Sequence, residues 1–122
     1  MIGEMRTAAL LAKGVSADPA AASDAATLRM ATLNGARALG LQDRIGSLVP
    51  GKEADLIAVD LNAAATQPVY NPISQLIYAA GRDQVQDSWI AGQHVLSQGR
   101  LTTVDSDAAI HQAQLWRDKI QG

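Results

Sequence analysis

Residues 46–60, GSLVPGKEADLIAVD, decide how the rest of the chain is read. Pro50 and Gly51 form a turn that leads through the charged pair Lys52 and Glu53 into Ala54–Val59, an apolar run interrupted only by Asp55. An apolar run of that length bounded by turn residues predicts a strand covered on both faces. The residues before it carry helical spacing, and most of those after it carry the spacing of a hairpin and further helices.

The first helix is predicted over Ile2–Lys13, with Ile2, Met5, Ala9 and Ala12 on one face and Gly14 closing it in the left-handed region. Ser23 or Asp24 caps a second helix running through Leu33, with Leu28, Ala31 and Thr32 inward. Asn34-Gly35 is expected to break that helix, Asn34 restarting a short one over Ala36–Leu39 that Gly40 stops. Beyond the central strand, Asn71 followed by Pro72 at the first helical position starts a helix through Ala80, with an apolar stripe of Ile73, Leu76, Ile77 and Ala80. Gln84–Ile90 and Val95–Leu96 read as two strands joined at Ala91-Gly92. Because Ala91 resists positive φ, a type I turn with Gly92 as the left-handed bulge residue is expected. Gly99 marks another turn before Leu101–Val104. Asp105 then caps a last helix with Ala109, Ala113, Trp116 and Ile120 on one stripe and Arg117 and Lys119 near its end, where the helix dipole favours cations.

Composition narrows the function classes. The 122 residues suit one domain, and 48% hydrophobic with 18% charged residues is globular in character. A net charge of −2 offers no basic surface for nucleic acid or anionic lipid. The absence of Cys removes disulfides, thiolate metal sites and a Cys nucleophile, and is compatible with a cytoplasmic setting. No apolar segment approaches the roughly 18 residues of a membrane span. With Phe absent and only Tyr70, Tyr78, Trp89 and Trp116 as aromatics, the core must come from small aliphatic side chains. The first helix starts without a capping residue, which raises the expectation of a truncated chain.

Each chemical motif has a plainer account. Gly46–Lys52 matches G-x-x-x-x-G-K, but Glu53 stands where a phosphate loop needs Ser or Thr, Pro50 removes an amide, and a strand follows instead of a helix. His94 falls in the hairpin and His111 on the last helix, too isolated to build a site that needs three or four convergent ligands. Asp55 is expected to cap or to pair with a nearby Arg or backbone amide. Arg82-Asp83 and Asp43-Arg44 read as solvated loop charges. Ser23, Ser47, Ser74, Ser88, Ser97 and Ser106 lie in no G-x-S-x-G elbow.

Five collinear segments carry a resemblance: MIGEMRTAALLAK at the start, ATLNGARALGL at 31–41, IGSLVPGKEADLIAVD at 45–60, NPISQLIYAA at 71–80 and VQDSWIAGQHVLSQGRL at 85–101. Together they resemble the C-terminal part of the metal-dependent amidohydrolase superfamily. Within its cytosine deaminase and chlorohydrolase branch they look most like the methylthioadenosine/S-adenosylhomocysteine deaminase subgroup. Ala91 departs from the Asn usual in that turn.

The resemblance implies an α/β fragment: residues 1–40 as closing helices of a (β/α)8 barrel, 41–104 as the C-terminal part of a small composite β domain with one packed helix at 71–80, and 105–122 as a terminal helix. It also implies a parent enzyme, cytoplasmic and homo-oligomeric, in which a divalent metal, zinc, activates water to deaminate an adenosine-like or related heterocycle. The metal ligands and catalytic residues of such enzymes precede the matched segments. Catalytic, cofactor-binding and metal-ligating positions in residues 1–122 are therefore expected to be none, and the chain's partner is expected to be the missing N-terminal barrel portion. The competing expectations are a free-standing, non-catalytic β/α interaction module, or a parent that is a chlorohydrolase or a guanine or cytosine deaminase.

Overall fold

The computed structural model describes every residue from Met1 to Gly122. Five helices and one four-stranded antiparallel sheet follow in the order α1 (Ile2–Ser16), α2 (Asp24–Arg29), α3 (Gly35–Ala38), β1 (Leu56–Val59), α4 (Pro72–Tyr78), β2 (Val85–Ile90), β3 (Gln93–Ser97), β4 (Arg100–Leu101) and α5 (Ser106–Gln121). The strands lie side by side in sequence order, so β1 and β4 are the two edges. No helix is long and apolar enough to cross a membrane.

The helices pack through one small core. Ile2, Met5 and Ala9 of α1 bury against Ile77 of α4, with Leu28, Ala31, Leu76 and Val85 around them. Arg6 lies beside these residues on α1, and its guanidinium donates to the carbonyls of Ile77 (3.2 Å) and Ala80 (2.6 Å). The Ile77 carbonyl is one of those a helix end leaves without a partner and Ala80 lies just beyond that end, so a cation there is held by both hydrogen bonds and the helix dipole. Asn71 caps α4 by accepting from the amides of Ile73 and Ser74, with Pro72 at the first helical position. Ser23 caps α2 through Ala26, and Asp105 caps α5 through Ala108.

Two expected breaks are absent. α1 passes through Gly14 and ends at Ser16, with Ala17 in the left-handed region at φ 52°. Lys13 donates to the carbonyls of Pro19 (2.8 Å) and Ala21 (2.7 Å), fixing the chain beyond the helix, so the stop lies one turn later than Gly14. Asn34 restarts nothing: it is helical, at φ −72°, and makes no capping hydrogen bond. A π-helical turn over Met30–Asn34 joins α2 to α3, the Gly35 amide reaching back to the Met30 carbonyl. One wide turn accommodates the glycine without interrupting the helix.

The central strand also differs from expectation. β1 spans only Leu56–Val59 and is not covered on both faces; Ile57 is 50% exposed. Its one partner in this chain is β2, and no layer lies over Ile57. At the β2–β3 turn both Ala91 (φ 47°) and Gly92 (φ 79°) are left-handed, as in a type I′ turn, in place of a type I turn with a bulge. Asp55 explains the strain on Ala91: its carboxylate accepts from the Ala91 amide at 2.6 Å, while the Gly92 amide donates to the Ala54 carbonyl at 3.1 Å. The irregularities in register fall inside the strands instead, at Ala58/Val59 and Ser88/Trp89. After the Gln98-Gly99 turn, β4 ends at Leu101, short of the expected Val104.

Gly46 seats the loop before β1 on the α2–α3 segment. Its φ is +87°, and a Cβ added there would lie 2.7 Å from the Cβ of Ala36 and 3.1 Å from the Thr32 carbonyl oxygen. Gly51, at φ +92°, faces open space. Gly51→Ala is therefore expected to cost about 1–2 kcal/mol from backbone strain alone. Gly46→Ala adds overpacking, about 1–3 kcal/mol more. Urea denaturation of the two variants side by side checks the order.

Candidate functional site

The loop that resembles a phosphate cradle is closed on itself. The Lys52 ammonium donates to the Gln42 carbonyl, to Ser47 Oγ (2.8 Å) and to the Ile45 carbonyl (3.3 Å), which uses all three of its hydrogens. Arg44, expected as a solvated loop charge, is exposed and also donates from Nε and Nη2 to Glu53 Oε1 at 2.7 and 2.5 Å. Both residues around the Gly51 turn thus hold the loop shut, leaving no cation for an anion to meet.

A second cluster lies on the hairpin. His94 Nε2 is 2.9 Å from Asp87 Oδ1, and its ring stacks on Trp89 with centroids 4.4 Å apart and planes 7° from parallel. Trp89 and His94 are cross-strand partners, and Asp87 lies two residues before Trp89, on the same face. Sequence reasoning missed this pair; the period-two spacing of Asp87 and Trp89 is the signal that could have found it. A carboxylate that orients an imidazole is half of many proton-transfer sites, yet no hydroxyl hydrogen-bonds the His94 ring, whose one side-chain hydrogen-bond partner is Asp87. The hydroxyls of Ser23, Ser47 and Ser74 are engaged with Ala26, Lys52 and Asp24. Two depressions lie elsewhere, one of about 400 Å³ along α5 and one of about 220 Å³ between α1 and α2, lined by Met1, Met5, Thr27 and Met30. The cluster therefore holds β2 to β3, as does Asp55 at the turn. His111 is exposed on α5, and Arg82 and Asp83 are exposed at 3.9 Å from one another.

One carboxylate is electrostatically distinct. Asp24 accepts from the Ser74 hydroxyl, joining the start of α2 to α4, and this hydrogen bond, with a smaller contribution from the Ala25 amide, lowers its pKa below the ordinary value. No three of the chain's His, Asp and Glu side chains converge into a set able to hold a metal ion.

Residues 1–95 match the family model described as Amidohydrolase family. The chain belongs to the amidohydrolase family. It is 43% identical over 120 residues to the 5-methylthioadenosine/S-adenosylhomocysteine deaminase of Teredinibacter turnerae, covering 98% of this chain and 27% of that protein. It is 45% identical over 114 residues to the protein of the same name from Syntrophobacter fumaroxidans, covering 93% and 26%. Among solved structures it is similar to a zinc-bound adenosine deaminase from Xanthomonas campestris, with a TM-score of 0.92 and 56% identity over 99% of this chain and 28% of that one. It is also similar to the atrazine chlorohydrolase of Arthrobacter aurescens complexed with zinc, at TM-score 0.81 and 28% identity, over 94% and 26%. The chain thus spans about a quarter of the length of these amidohydrolase relatives. Zinc is present in both crystal structures, but the donors in residues 1–122 do not fit a metal centre of their own.

Two outcomes follow from these contacts. Asp24 is an acid whose folded pKa is depressed, so its contribution to stability is present above the unfolded pKa and is lost as pH falls through the folded one. Ser74→Ala is expected to lower Tm at neutral pH and to lose that difference as the carboxylate protonates, which melts followed by circular dichroism across the acid range would detect. Asp55→Ala, by releasing the Ala91 amide, is expected to cost about 1 kcal/mol and to speed exchange of that amide in hydrogen-exchange NMR.

Proposed function

We propose that this chain is the C-terminal portion of a metal-dependent aminohydrolase that releases ammonia from an adenosine-like or related heterocycle. The observation that carries the reading is a pair of facts taken together. Nearly all of the chain superposes on just over a quarter of an adenosine deaminase, and within that quarter no metal-holding set of side chains forms. Residues 1–40 are then the closing helices of the barrel, 41–104 the C-terminal share of the composite β domain with the helix at 71–80, and 105–122 the terminal helix. A divalent metal, zinc, supplies an activated water in the parent, and none of residues 1–122 is assigned to hold it. What this chain's own residues do is structural: Arg6 and Ile77 hold α1 to α4, and Gly46, Lys52 and Asp55 fix the loop and the hairpin beside β1.

A free-standing interaction module fits less well. A compact monomer of 12.8 kDa exposes roughly 6,300 Å², whereas this chain exposes 8545 Å² and buries only eight residues. A chlorohydrolase parent is disfavoured by 28% identity to the chlorohydrolase against 56% to the adenosine deaminase. A cytoplasmic, homo-oligomeric enzyme belongs to the same reading.

The test is to express the whole open reading frame that contains these residues, load it with zinc, and assay ammonia from adenosine, methylthioadenosine and S-adenosylhomocysteine. Ammonia release that a chelator abolishes is the expected result. A frame that begins at Met1 and yields a cooperatively folding monomer, or a folded zinc-loaded protein that leaves all three substrates intact, would overturn the proposal.

A further inference from the structure

Every residue of α5 is exposed, and no other element packs broadly against the helix. Ala109, Ala113, Trp116 and Ile120 fall within a narrow sector of the helix, with Trp116 62% and Ile120 81% exposed. Asp107, His111, Gln114 and Asp118 occupy the opposite side. Lys119 lies 4.9 Å from the Trp116 ring centroid at the edge of the stripe. An isolated amphipathic helix of 16 residues is marginal in water, because its stability comes from burying its apolar face.

Three observations point to what covers that face. The superposition on the Xanthomonas campestris deaminase takes in 99% of this chain at TM-score 0.92, so it includes α5, and yet the chain itself does little to hold the helix in place. Polypeptide making up the rest of that longer protein is what a shared position of α5 requires. The excess exposed area, about 2,300 Å² over a compact monomer, has the size of an obligate interface. α5 also lies beyond residues 1–95, where the general family model matches, but inside the 120-residue match to the Teredinibacter turnerae deaminase. The helix therefore belongs to the stretch shared with these longer relatives.

From these observations we infer that the Ala109–Ala113–Trp116–Ile120 stripe of α5 docks on the N-terminal remainder of the same polypeptide, with Trp116 as the anchor. Large aromatic side chains at the centre of a contact carry much of its energy, and Ala109 and Ala113 let the helix approach closely. The inference rests on the reading of the chain as the C-terminal portion of a longer enzyme. α5 is then a clasp across the junction between the two portions.

The experiment uses the full-length protein and three variants, Trp116→Glu and Ile120→Glu on the stripe and Gln114→Glu opposite it, with hydrogen exchange of the α5 amides read by mass spectrometry. In the wild type and Gln114→Glu those amides are expected to exchange at least 100-fold more slowly than in a free peptide of residues 105–122. Trp116→Glu and Ile120→Glu are expected to lose at least tenfold of that protection. Peptide-like exchange in the folded wild type, or stripe variants that exchange like the wild type, would overturn the inference. Protection that disappears when the protein is diluted from dimer to monomer would overturn it too, by making a second copy the occupant. Ammonia release is read in parallel: a protein that deaminates but leaves α5 unprotected removes the docking alone, and a folded, zinc-loaded protein with α5 protected but no ammonia removes the enzymatic reading alone.

Discussion

The guanidinium of Arg6 reaches from α1 to the C-terminal end of α4, to the carbonyls of Ile77 and of Ala80 just beyond it, and the packing of the helices depends on that reach. Arg6 and Ile77 lie 71 positions apart in the chain, so the contact closes a long loop before it returns any energy. Beside it, Ile77 is fully buried against Ile2, Met5 and Ala9. Hydrogen bonds and apolar burial coincide there. α2 also packs along α4, where Ser74 donates to Asp24, and Gln75 of α4 donates to the Thr66 carbonyl at 2.7 Å.

The sheet is tied to this helical layer at few points. Val85, the first residue of β2, packs on the core cluster of α1 and α4. Beyond this contact, the strands are stabilised largely among themselves, by Asp55 at the turn and by the Asp87–His94–Trp89 group. The outcome is two thin layers, each with a face that finds no cover within 122 residues. The chemistry-bearing residues are scattered over both layers and are engaged in holding turns, caps and strands in place.

Local chemistry was readable from the sequence. Ser23, Asn71 and Asp105 cap helices as their positions suggest, because a cap needs only a side-chain oxygen and an amide two or three residues on. The errors share a different cause. Gly14 and Asn34 looked like stops, but Lys13 reaching to Pro19 and Ala21 and the wide turn at Met30–Asn34 lie outside what a propensity scale registers. Ala91 was judged unfit for positive φ, and a carboxylate 36 positions away holds it there. β1 was read as doubly covered, and its composition does suit such a place; within these residues the cover is not supplied. For the candidate site, Glu53 and Pro50 argue from sequence against a phosphate loop at Gly46–Lys52, whereas the pairing of His94 with Asp87 depends on strand register, which residue spacing alone does not supply. The family was legible through five segments in order, with no catalytic motif among them.

β1 lies at the margin of the sheet, with one side hydrogen-bonded to β2 and the other side bare. Along that bare side run the amides and carbonyls of Leu56–Val59, with half-exposed Ile57 among them and no proline or lysine to discourage company. Such a margin accepts any extended backbone that comes by. Produced in quantity as a separate polypeptide, these residues would recruit their own duplicates in ribbon fashion, and loss into insoluble deposits would compete with folding.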